Sequence, residues 1–243
     1  PDYMLVHGIK QQEFNMRIAV SGTGSQGKTT FVNDFIKKWS NYTTPSGTYR
    51  DVIGKRKHST KTTHKLQWDI LEFMTDQLQE NCNSEYIIYD RCPLDNLVYS
   101  LWGHGKDKKG FDKEYMDKCI PIVRESLRFL DIIFFTPITK VAPVNIEDDG
   151  IRDTDEEYIH EIDHLFKAVL KSYYELESPF FVKDDRPAVI EIFGSPKERL
   201  AMAELYLNES GNCYGEQDTL IDPNEIEKLQ ARAKGDGSDK YYL

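Results

Sequence analysis

Eight consecutive residues, Gly22-Thr23-Gly24-Ser25-Gln26-Gly27-Lys28-Thr29, satisfy the spacing G-x-x-x-x-G-K-[ST]. Phosphate carries several acceptor oxygens and a high charge, so a loop that holds it must bring many backbone N–H groups close together. Gly22, Gly24 and Gly27 have no β-carbon and can take the backbone angles this needs. A helix opening at Thr29, with Thr30 beside it, adds unpaired amides and the positive end of a dipole. Lys28 supplies a cation to the β and γ phosphates, and the Thr29 hydroxyl is a magnesium ligand. The chemistry indicated is binding of a nucleoside triphosphate.

A second cluster follows at Tyr89-Asp90-Arg91-Cys92-Pro93-Leu94-Asp95. Phosphoryl transfer needs a carboxylate near the metal or the acceptor hydroxyl, and cations for the charge on the moving group. Asp90 and Arg91 can fill those roles. Asp90 can also serve as a helix cap, and Arg91 can pair with Asp95 at the surface.

These groups must be held by a scaffold, and the hydrophobic pattern describes one. Apolar runs at 16–21, 86–90, 131–135 and 188–193 predict buried strands, with a weaker extended piece at 48–52. Helical spacing appears over 29–39, 61–80, from about Leu94 onward, and over 155–176. Continuous apolar strands alternating with helices predict a parallel sheet covered on both faces. The expected fold is α/β, a three-layer sandwich around a five-stranded parallel sheet. Its carboxyl edge would gather Gly22, Asp90, Thr136 and Gly194, where such sheets bind ligands. Ser195-Pro196-Lys197-Glu198 has the form of a capped helix start, and Asp222-Pro223-Asn224-Glu225 repeats it.

Composition narrows the partners. The chain has 243 residues, 39% of them hydrophobic, enough for one sizeable core rather than two. Its formal net charge is −10, which disfavours coating a nucleic-acid backbone and favours a small-molecule site. Four cysteines (Cys82, Cys92, Cys119, Cys213) form no CxxC pair, so neither a zinc site nor a disulfide framework is indicated. No apolar run approaches a membrane span and no secretory leader is visible, so a cytoplasmic protein is expected. The sequence opens on Pro1, and nothing is read from the stretch before Met16.

The pair Asp90-Arg91 closing a strand downstream of the Gly-rich loop resembles the nucleoside and nucleoside-monophosphate kinases. The form Asp90-Arg91-Cys92-Pro93-Leu94-Asp95 is similar to the thymidylate kinase, deoxynucleoside kinase and ribosylnicotinamide kinase branch. The likeness covers about 16–207 and implies a kinase domain over 1–207, with 208–243 a helical extension and tail. It also implies a lid at about 138–156 in which Arg152, within Asp148-Asp149-Gly150-Ile151-Arg152-Asp153, stabilises transferred charge. Asp148 and Asp153 could instead help hold a metal. Gly194, Ser195 and Pro196 would border the donor base. On the acceptor side the resemblance assigns Asp51 to the acceptor proton, Arg50 to an acceptor phosphate, Gln67 to a base edge and Trp68 to stacking.

The expected activity is transfer of the γ-phosphoryl group of ATP, or GTP in its place, with Mg²⁺. The acceptor would be a nucleoside, nucleoside monophosphate or similar small molecule. One alternative acceptor is a modified base in DNA, for which the basic stretch Lys55-Arg56-Lys57-His58, with Lys61 and Lys65, would serve. A further alternative is a nucleotide-binding switch with no acceptor, against which stands the lack of an Asn-Lys-x-Asp motif. A homodimer is compatible with the chain.

Overall fold

The computed structural model describes residues 16–54, 61–139, 155–175 and 177–214. The lid segment with Arg152, Asp148 and Asp153, the basic residues at 55–58 and the tail from 215 lie outside the described residues.

Strands β1 (Met16–Ser21), β2 (Tyr86–Asp90), β3 (Ile132–Phe135) and β4 (Ala188–Glu191) form one sheet in the order β2-β1-β3-β4. Every pairing is parallel, with Val20 opposite both Asp90 and Phe134. The strand ends therefore lie side by side at one edge. The helices are α1 (Lys28–Lys38), α2 (Tyr49–Ile53), α3 (His64–Glu80), α4 (Pro93–Gly105), α5 (Lys113–Ser126), α6 (Glu156–Lys171) and α7 (Pro196–Glu204).

Strand side chains alternate between faces, and the two cores follow that period. Ile18, Val20, Ile88, Ile132, Phe134 and Ile190 pack with Phe31 and Phe35 of α1, Trp39 just after it and Ala203 of α7. Ala19, Ile87, Tyr89, Ile133 and Phe135 face the larger core, which takes residues from α3, α4, α5 and α6. This is the three-layer α/β sandwich expected from the sequence. Among the described residues no helix is long and apolar enough to cross a membrane.

The sheet has four described strands, not five. Residues 48–52 do not extend, because Thr48 caps α2 and Asp51 returns a bond to the Thr48 N–H at 2.6 Å. That reciprocal pair is a capping box, and it commits the segment to a helix. On the side of β2 away from β1, Thr43 is the one described residue that pairs, as an isolated bridge to Ile87. Helix α5 is an element the periodicity did not disclose; Asp112 caps it and Pro121 lies inside it.

After α7 the chain turns back, with Leu207 bridging Cys213. Trp39 Nε1 donates to the Asn208 carbonyl at 2.9 Å, and the Tyr42 hydroxyl to the Gly211 carbonyl at 2.6 Å. Residues 208–211 thus lie against the end of α1.

Candidate functional site: a phosphate cradle at the carboxyl edge

The loop between β1 and α1 is built by its neighbours as much as by its own residues. Gly22 has φ +145°, and a β-carbon there would stand 2.4 Å from Thr136 Oγ1 and 2.8 Å from the Thr136 carbonyl. Thr136 is itself fixed, donating from its N–H to the Ser21 carbonyl at 2.9 Å. Gly27 ends the loop in the left-handed region, φ 66°, as the N-terminal neighbour of α1. Gly24 differs: open space surrounds the site of its missing β-carbon, and Ser25 takes the left-handed turn at φ 58°. No side chain caps the first turn of α1, so its amides face the loop.

Lys28 is buried, and its ammonium donates to the Thr23 carbonyl across the loop. The Thr23 hydroxyl donates to the Ile159 carbonyl at 3.2 Å, tying the loop to α6. The Ser25 hydroxyl is buried with no protein partner, a donor suited to a phosphate oxygen. Thr29 and Thr30 are exposed.

At the end of β2, an Asp90 carboxylate oxygen accepts from the Thr29 hydroxyl at 2.5 Å. Arg91 follows in the left-handed region at φ 86°, which a bulky side chain rarely adopts. Its guanidinium donates to the Gly22 carbonyl at 3.2 Å and to Asp95 at 2.7 Å. It also faces the rings of Tyr49 and Tyr99, 5.1 and 5.6 Å from their centres. Burial opposes the Arg91 cation, but Tyr99, Tyr49, Asp95 and Asp90 outweigh it and hold its pKa above the ordinary value.

The Arg91–Asp95 ion pair is buried rather than superficial, at 10% and 1% side-chain exposure. Asp95 also accepts from the Ser21 hydroxyl at 2.7 Å, the Gly22 N–H at 3.3 Å and the Cys92 N–H at 3.2 Å. One carboxylate therefore joins the end of β1, the start of the loop, the start of α4 and Arg91. Sequence reasoning had Asp95 only as an ion-pair partner. The signal for more was its place three residues after Cys92, the position from which an acid bonds back to a helix start.

On the acceptor side, Tyr49 brings α2 against Arg91. Burial pushes the Tyr49 phenol up, but Arg91 and Arg50 outweigh it, and the pKa ends below its ordinary value. Arg50 is exposed, with its Nε 3.5 Å from the Tyr49 hydroxyl. Asp51 is engaged in the cap of α2. Gln67 is buried; its amide donates to the Thr62 hydroxyl at 2.9 Å, and its side-chain oxygen accepts from Asn96 at 2.7 Å. Trp68 packs edge-on against Tyr115 of α5. Gln67 and Trp68 thus lie in the seam of α3 with α4 and α5.

Beyond β4, Gly194 adopts φ +88°, and Ser195 and Glu198 form the expected capping box before Pro196. Arg199, a residue with no motif to announce it, reaches from α7 to the cradle. Its Nε donates to the Gly194 carbonyl at 3.0 Å and its Nη1 to the Gln26 carbonyl.

The Thr29 hydroxyl and Asp90 carboxylate offer converging hard oxygen donors, a set that suits Mg²⁺ kept partly hydrated. Among the described residues no group of three His, Cys, Asp or Glu side chains forms another metal site.

A family model described as an AAA domain matches residues 17–180. The chain belongs to that AAA-domain family. No curated protein matches it. Among solved structures, a NadR protein in complex with NR aligns with a TM-score of 0.53 at 19% identity, covering 74% of this chain and 46% of that one. NadR in complex with NAD and AMP-PNP gives 0.52 at 18%, covering 78% and 48%. A deoxyadenosine kinase from M. mycoides with bound dATP gives 0.53 at 19%, covering 77% and 96%. The chain thus spans about half the length of the NadR chains. At these identities the likeness is one of fold. Within the AAA-domain family, this member shares the fold of the NadR and deoxyadenosine kinase structures.

Proposed function

We propose that the chain is an ATP-dependent phosphotransferase that moves the γ-phosphoryl group to a nucleoside, nucleoside monophosphate or nucleoside-like acceptor, with GTP as an alternative donor. The observation that carries this reading is the contact of Thr29 with Asp90, which joins the phosphate cradle to a second strand end beside Arg91. The paired hydroxyl and carboxylate suit a Mg²⁺-nucleotide complex, and the buried arginine next to them adds a cation for charge that develops on a transferred group.

In this reading, amides of 22–30 and the Ser25 hydroxyl hold the donor phosphates, and Lys28 leaves the Thr23 carbonyl to meet the β and γ oxygens. Thr29 and Asp90 would hold Mg²⁺, which supplies charge neutralisation at the phosphates. Arg91, fixed by Asp95, and Arg152 spread the charge that develops on the transferred group. Asp51 receives the acceptor proton, and Arg50 faces an acceptor phosphate if one is present. Gly194, Ser195 and Pro196 border the donor base, and Gln67, buried against Asn96, would support the acceptor wall from behind, beside Trp68. Placing donor and acceptor in line accounts for much of the rate, since no covalent intermediate is needed.

Incubation with γ-labelled ATP and Mg²⁺ against panels of nucleosides, monophosphates and duplex DNA tests this. Label appearing on a small-molecule acceptor is the expected result. Label on DNA alone, or free phosphate released at a rate indifferent to every acceptor, overturns it.

A further inference from the structure

Arg199 is 7% exposed, yet no acidic side chain among the described residues forms an ion pair with it. Its two hydrogen-bond partners, the carbonyls of Gly194 and Gln26, are neutral. Burial lowers its pKa. A buried cation is costly unless an opposite charge is brought to it. The nearby acid, Glu198, is occupied with the Ser195 N–H at 2.7 Å.

The position of this cation is specific. Arg199 Nη1 lies 3.3 Å from where a β-carbon on Gly27 would stand. In a trans peptide the C=O and the following N–H point in opposite directions. By drawing the Gln26 carbonyl toward itself, Arg199 turns the Gly27 N–H the other way, the direction from which an anion could accept it. Through Gly194 it also links the cradle to the turn after β4.

We propose that Arg199 is a positioning residue of the phosphate site: it orients the Gln26–Gly27 peptide, and the polyphosphate of the bound nucleotide supplies its counter-charge. This rests on the reading of the loop as a triphosphate site.

The test measures binding of ATP and of inorganic tripolyphosphate by calorimetry, alongside the melting temperature without ligand, for the wild type, Arg199→Met and Arg199→Lys. Methionine keeps the stem and removes the charge; lysine keeps the charge and loses the fork that reaches two carbonyls. Arg199→Met should bind both ligands at least ~10-fold more weakly, on the scale of one lost charged contact. Its ligand-free melting temperature should stay level or rise. Arg199→Lys should fall between, with the wild-type fold. The inference is overturned if Arg199→Met binds tripolyphosphate like the wild type. It is equally overturned if the methionine variant fails to fold while Arg199→Lys folds and binds normally, because the cation would then serve the ligand-free protein. Wild-type protein that binds neither ligand overturns the triphosphate site itself, a result separate from either variant's.

Discussion

The Thr29 hydroxyl donates to an Asp90 carboxylate oxygen across 2.5 Å, joining the first turn of α1 to the carboxyl end of β2. Parallel pairing makes this meeting possible, because Val20 and Asp90 stand in register one loop away from Thr29. Thr29→Val and Asp90→Asn should each lower kcat roughly 100- to 1,000-fold, the scale of removing one preorganised group. Both should raise the Mg²⁺ concentration needed for half-maximal rate, while Thr29→Ser should keep most activity. Steady-state rates across a Mg²⁺ titration check this.

Lys28→Ala should abolish measurable turnover and weaken triphosphate binding more than binding of the unphosphorylated nucleoside. In the proposed reading the ammonium, buried against the Thr23 carbonyl, serves the phosphates and not the base. Calorimetry with ATP and adenosine separates the two.

Asp95→Ala should destabilise the fold by about 3–5 kcal/mol, because it leaves Arg91 buried and unpaired. For a chain of this size that is a drop of roughly 6–20 °C in melting temperature. The double variant Asp95→Ala with Arg91→Met should recover much of the loss, since no lone charge remains. Thermal unfolding of the three variants reads the coupling directly.

Gly22→Ala should impair both folding and nucleotide binding, and Thr136→Ala should not rescue it. Removing the Thr136 hydroxyl clears the 2.4 Å contact but leaves the backbone carbonyl at 2.8 Å, and φ +145° remains strained for any L side chain. Thermal melts with and without ATP distinguish this from a purely local effect.

The strands and the cradle were legible because they rest on local signals: apolar runs of four to six residues and a fixed glycine spacing. The helix at 49–53 was misread although its signal was present, since Thr48 and Asp51 stand in capping-box spacing. A short segment with Tyr49 and Val52 looks β-prone, and the cap overrode that propensity. Arg199 was not legible: burial of one arginine on a short helix depends on how α7 packs against α1, which no local pattern encodes. Gln67 was read as a contact to a base edge, and its burial against Asn96 depends on a helix pairing 29 residues away.

Cys92 yields a pH prediction. Burial, then the nearby Asp95 charge, pushes its thiol from 9.0 to about 12. The unfolded chain loses this proton first as pH rises, so the contribution to stability is full below about pH 9 and is lost between there and about pH 12. Cys92→Ala should remove that part of the alkaline slope in denaturant melts. Iodoacetamide at pH 8 should label exposed Cys213 and half-buried Cys82 and leave Cys92 and Cys119 unmodified until unfolding, as read by peptide mass.

Lys28, Arg91 and Arg199 converge on one sheet edge of a chain whose formal net charge is −10. The acid excess of the whole chain opposes an incoming anion, and these three cations offset it locally. Added salt screens both effects within about 8 Å at physiological strength, so capture should lose its directional bias as salt rises.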